Sequence, residues 1–98
     1  MKMLFVTYYI GVEDKVMELL EDLQISAYTH WREVRGKPAK GHPRLGTHVW
    51  PGHNSALFFA AQDEIATAVM DGARKHNQKV KYEGITAMCW TLDDACEG

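Results

Sequence analysis

The side chains best suited to chemistry lie close together between Val34 and Asn54, in the run Val-Arg-Gly-Lys-Pro-Ala-Lys-Gly-His-Pro-Arg-Leu-Gly-Thr-His-Val-Trp-Pro-Gly-His-Asn. Arg35, Lys37, Lys40 and Arg44 supply positive charge there with no Asp or Glu among them. Gly36 and Gly41 would let backbone N–H groups approach an anion held by those cations, so the cluster could grip a phosphate or a carboxylate. His42, His48 and His53 form a second set. Neutral imidazole is the commonest nitrogen ligand for zinc, copper or nickel, so a divalent transition metal could sit on the three. The plain alternative for both sets is a solvated polar loop. Cations that repel one another without a counter-ion favour an anionic ligand or an acidic partner over that alternative. The histidine spacing matches no recognised metal motif, and metal binding stands second.

Elsewhere the chain offers little for catalysis. No nucleophile stands beside a recognisable base, no paired-carboxylate motif occurs, and no glycine-rich turn of nucleotide-loop type joins a strand to a helix. Glu33, between Arg32 and Arg35, reads as an ion-paired residue at a strand end. The expectation is a binding protein rather than an enzyme. A net charge of -2 and a pI near 6.2 exclude the global basic field that gives sequence-independent nucleic-acid binding. Cys89 and Cys96 show no metal or redox spacing and read as free thiols in a reducing compartment, hence a cytoplasmic protein. The apolar start, Met3 to Ile10, is too short to insert in a membrane and carries no cleavage site.

The elements that must position the loop are legible from hydrophobic spacing. Met3 to Ile10 is a β-branched and aromatic run that reads as a central or doubly buried strand. Val12, Val16, Leu19, Leu20 and Leu23 then recur on one helical stripe. Ile25 to Val34 alternates as a second strand, with Tyr28, His30, Arg32 and Val34 on one side and Trp31 on the other. Ala56 to Ala61 is a third strand, Gln62 to about Asn77 a second helix with Ile65, Val69, Gly72, Ala73 and His76 on one face, and Ile85 to Leu92 a fourth strand. Trp50-Pro51-Gly52 reads as a turn that docks the loop's return leg. Residues 1–98 thus form one α+β domain of ferredoxin-like βαββαβ order, a four-stranded antiparallel sheet with two helices on one face, a long loop at 36–54 and a patternless tail at 93–98. The uncovered sheet face, with Trp31 and Trp90, would be buried most simply against other copies of the chain.

In that order of elements the sequence resembles the PII-like signal-transduction family. Ile25-Ser-Ala-Tyr-Thr29 is similar to the family's Ile-Thr-Gly-Met-Thr segment. Glu33-Val-Arg-Gly36 followed by Lys40-Gly-His42 resembles its Glu-Val-Lys-Gly and Lys-Gly-His at the base of the loop known as the T-loop, with one residue fewer between. The resemblance implies a homotrimer with ligand sites in the clefts between subunits and a loop that reports occupancy to a client protein such as a membrane transporter or an enzyme. The implied ligand is an adenine nucleotide, held by the loop base, by a glycine-and-lysine turn before the fourth strand and by basic residues near the C-terminus. Thr29, Gly36 and Gly84 match that pattern, and Lys81 approximates the lysine of the turn. No Arg or Lys follows Lys81, and Asp93, Asp94 and Glu97 make the tail acidic, which removes the C-terminal cations that would hold a polyphosphate. No Tyr lies between Gly36 and Asn54, so control by nucleotidylation of a loop tyrosine is excluded. The ligand residues implied are Thr29, Gly36, Lys37, Lys40, Gly41, Lys81 and Gly84, and the metal alternative rests on His42, His48 and His53.

Overall fold

The computed structural model describes residues 1–37, 46 and 52–98. Its elements are β1 (Lys2–Tyr9), a single 3₁₀ turn at Ile10–Val12, α1 (Glu13–Asp22), β2 (Thr29–Val34), β3 (Asn54–Ala61), α2 (Asp63–Lys79) and β4 (Ile85–Thr91). All strand pairs are antiparallel and the sheet order is β2-β3-β1-β4, the expected ferredoxin-like arrangement. β1 is central, between β3 and β4. Its pleat sends Leu4, Val6 and Tyr8 inward, where they meet Leu57 and Phe59 of β3, Val16 and Leu20 of α1, and Ala66, Val69 and Ala73 of α2 in one core. Ala66 was not in the expected stripe of α2, and His76 lies past the core, where it bonds the carbonyl of Glu83 at 2.7 Å.

Both helices therefore cover one face of the sheet, and burial of the core leucines, Leu4, Leu20 and Leu57, contributes about 2 kcal/mol each. No described element covers the opposite face. On it Phe5 and Phe58 meet edge to face at 6.0 Å and Phe58 and Trp90 at 5.9 Å, while Trp31, Trp90 and Met88 are 47%, 44% and 55% exposed. No helix among the described residues is long and apolar enough to cross a membrane.

Two expectations about β2 need correction. The strand does not start at Ile25, because α1 ends in a Schellman turn. Gln24 adopts φ 59°, its N–H bonds the carbonyl of Glu21 at 2.9 Å, and the N–H of Ile25 bonds the carbonyl of Leu20 at 2.9 Å. Ile25 is thus spent on closing the helix, with its side chain against the core. Nor does β2 alternate evenly. Trp31 lies opposite Ala56, but Val34 lies opposite Asn54, so three residues on β2 advance where two do on β3. The β-bulge at Arg32 and Glu33 absorbs the extra residue and turns Val34 to the same face as Trp31.

Candidate functional site

The uncovered face carries a groove at its loop end, enclosing about 690 Å³. The ladder explains its position. Trp31, Ala56, Thr7 and Thr86 stand level across all four strands, while two residues farther along Thr29, Phe58, Phe5 and Met88 form the next level on that face. Small Ala56, Thr7 and Thr86 leave a depression, and the bulky level beyond them is its far wall. Trp31 and Val34 close the β2 side, and Arg35, Gly36 and Lys37 form the rim where the chain leaves the sheet. The bulge decides this, since without it Val34 would face the helices. Gly36 lies against Asn54, whose side-chain amide a β-carbon at that position would strike.

An apolar floor with an exposed guanidinium and ammonium at one lip suits a small molecule with a flat body and a negative end. Of the expected ligand residues, Gly36 and Lys37 line this groove. Thr29 shares the face but sits one level away, opposite Phe58. Lys81 and Gly84 are at the same end of the sheet, since β4 begins at Ile85 opposite Tyr8, but on the far edge from β2. Three strand spacings, about 14 Å, separate the two edges. One chain alone does not gather the two groups around a single small ligand. The turn that carries Lys81 and Gly84 is fixed by Asn77, whose amide donates to the carbonyl of Ile85 at 2.8 Å and accepts from its N–H at 2.7 Å.

Lys40, Gly41, His42 and His48 lie outside the described residues, as do Arg44 and the Trp50-Pro51 pair. His53 is half-buried on the return leg, where its carbonyl accepts the N–H of Ile10 at 3.1 Å. The N–H of Gly46, at φ 68°, donates to the carbonyl of Gly52, at φ 86°, at 2.9 Å. Among the described residues no three metal-ligating side chains converge.

Beneath the groove, on the helix side of the sheet, a polar cluster interrupts the core. One oxygen of Glu13, the first residue of α1, lies 2.9 Å from each of the Tyr8 hydroxyl, the Ser55 hydroxyl and His30 Nε2. His30 Nε2 is also 2.9 Å from Ser55 Oγ, which is 3.1 Å from the carbonyl of Trp31. Burial pushes the Glu13 carboxyl up, but the hydrogen bonds from Ser55, Tyr8 and His30 outweigh it and hold the group below the ordinary glutamate value of 4.5. Tyr8 moves the other way. Desolvation, with the Glu13 charge beside it, raises its phenol far above the usual range. Serine, histidine and glutamate side by side suggest a nucleophilic triad, but the geometry is wrong for one. Both the hydroxyl and the carboxylate address the same ring nitrogen, and Ser55 is fully buried.

Sequence reasoning placed His30 as a strand residue and missed the cluster. The available signal was a polar residue at the inward position of three adjacent strands, Tyr8, His30 and Ser55, where Leu4, Val6, Leu57 and Phe59 set an apolar norm.

Solved structures share this architecture. A PII-like signalling protein of Thermus thermophilus superposes with a TM-score of 0.66 at 18% identity, over 91% of this chain and 83% of that one. CPII of Thiomonas intermedia, a nitrogen regulatory PII-like protein, does so with TM-scores of 0.68 when bound to ADP and bicarbonate and 0.69 when bound to ADP, AMP and bicarbonate. Both CPII comparisons are at 14% identity over 95% of this chain and 88% of that one. The fold is that of the PII-like proteins. No protein-family model matches the sequence, and no curated protein matches it. The PII-like likeness is therefore one of backbone.

Proposed function

We propose that the chain is a PII-like regulatory protein that binds a small anionic ligand, with an adenine nucleotide as the leading candidate, and signals to a client protein through its loop at 36–54. The observation that carries this reading is the groove itself: a flat apolar floor with Trp31 at its side and Arg35 and Lys37 at its rim, at the root of the loop. The ADP and AMP bound by CPII are ligands of that shape and charge. Assembly as a homotrimer supplies what one chain lacks, because the Lys81 and Gly84 turn on one edge would meet the Gly36 and Lys37 rim of a neighbouring copy. Lys40 and Gly41 would extend the rim from the loop. With no cation after Lys81, the site favours AMP or ADP over ATP.

Calorimetry against AMP, ADP, ATP and cyclic nucleotides, each with and without bicarbonate, tests the reading. The expected result is binding of at least one adenine nucleotide, weakened tenfold or more by Lys37→Ala, on the scale of one charge-assisted contact of about 1.5 to 3 kcal/mol. Silence across the panel, or binding indifferent to Lys37, rejects it.

A further inference from the structure

Two tryptophans stand exposed on the sheet face that no described element covers, and their surroundings differ. Trp90, 44% exposed, lies against Phe58 with ring centroids 5.9 Å apart. Trp31 is 47% exposed, meets no other ring among the described residues, and lines the groove. An indole left open at the wall of a cavity offers a flat apolar face to whatever enters. The backbone that carries it is held in place. Trp31 pairs with Ala56 in the regular part of the β2–β3 ladder, and its carbonyl accepts from the hydroxyl of Ser55, a fully buried side chain, at 3.1 Å. A tryptophan fixed at its backbone has only two side-chain torsions left to order, so contact with a ligand costs little conformational entropy.

The groove runs from that ring to a pair of cations. Arg35 and Lys37 stand four and six residues beyond Trp31, and neither makes an ion pair among the described residues. Four residues of strand advance about 13 Å at most, and the bulge shortens the step. A ring laid on Trp31 and a phosphate at the rim can therefore belong to one mononucleotide. The remaining polar side chains of the groove are the hydroxyls of Thr7 and Thr86, which stand opposite each other on β1 and β4, and the carboxamide of Asn54. A hydroxyl donates or accepts, and a carboxamide does both. Such groups can follow the hydrogen-bonding edge of adenine or of guanine and reject neither.

We propose that Trp31 selects the ligand by stacking on its ring, so that the groove takes purine nucleotides by the face of the base, adenine and guanine alike, and passes over anions that carry no ring. The inference rests on the reading of the groove as a nucleotide site and adds the basis of its choice. Stacking on an aromatic side chain is indifferent to the edge of the base, because every base has a π-face, and it contributes on the order of tenfold in affinity or more. A Trp31 that served only the sheet surface would leave ligands unsorted by ring when it is replaced.

The test is an NMR and calorimetric titration of the whole chain with AMP, GMP and ribose 5-phosphate. In the wild type AMP and GMP should bind within about threefold of each other, and ribose 5-phosphate about tenfold more weakly or worse, the scale of one stacked base. Base protons of bound AMP should show nuclear Overhauser contacts to the Trp31 indole, a reading on the wild type that needs no variant to fold. Trp31→Leu keeps apolar bulk without a π-face. It should lower AMP and GMP to the level of ribose 5-phosphate and leave ribose 5-phosphate unchanged, while Trp31→Phe restores most of the difference, each variant being compared at wild-type mass and far-UV dichroism. Nucleotide binding that Trp31→Leu leaves intact, ribose 5-phosphate binding equal to AMP, a wider gap between AMP and GMP, or no contact to the indole overturns the stacking proposal and leaves the anion site standing. Failure of all three ligands to bind overturns the nucleotide reading and this inference with it.

Discussion

At the scale of single residues, Glu13 is the side chain on which the interior depends. It accepts from three donors while 17% exposed, so Glu13→Gln should cost about 2 kcal/mol in chemical denaturation, as one charged acceptor becomes neutral. The pH dependence follows from the directions of two shifts. A depressed carboxyl stabilises the fold above its unfolded value, and the contribution fades as pH falls from 4.5 through the lower folded value. A raised phenol does the reverse, and stability is lost as pH climbs past 10.0 because only the unfolded chain ionises there. Tyr8→Phe should cost about 1 kcal/mol at neutral pH through a lost donor and should flatten the alkaline loss, readable as the urea midpoint between pH 7 and 11. None of this was legible beforehand. His30 and Ser55 stand 17 and 42 residues from Glu13, and only strand register brings them together. Glu33, which the sequence cast in an ion pair, makes none among the described residues.

At the scale of elements, hydrophobic spacing located all four strands and both helices, with the largest boundary error at 25–28. That error has a definite cause. Ile25 looks like the first apolar residue of a strand, but the left-handed residue before it makes it the closing contact of α1. The usual marker for such a turn is glycine, and here the position is Gln24, exposed and strained at φ 59°. Gln24→Gly should therefore raise stability by about 0.5 to 1 kcal/mol, a gain of several degrees in Tm for a domain of this size. No change, or a loss, would mean that Gln24 makes a compensating contact. The bulge in β2 was equally hidden, because Arg32 and Glu33 carry no glycine to announce it.

For the molecule as a whole, the uncovered sheet face was legible from Trp31 and Trp90 alone, and the structure adds Phe5, Phe58 and Met88 to it. An apolar surface of this kind asks for a partner, and self-assembly is the proposed one. Light scattering on the wild type should give the mass of a trimer, and Met88→Glu with Trp90→Asp should give that of a single chain with unchanged far-UV dichroism, since both side chains are exposed. A monomeric wild type would refute the assembly. The candidate site was legible only at its rim, through Gly36 and Lys37, because its floor depends on which small residues stand level across the sheet. The offset in β2 also governs where the loop sets out. Deleting one residue from Arg32-Glu33 would restore an even pleat and swing Val34 to Lys37 through half a rotation, aiming both cations toward the helix layer. The side of the sheet to which the rim presents its charge thus rests on a residue count.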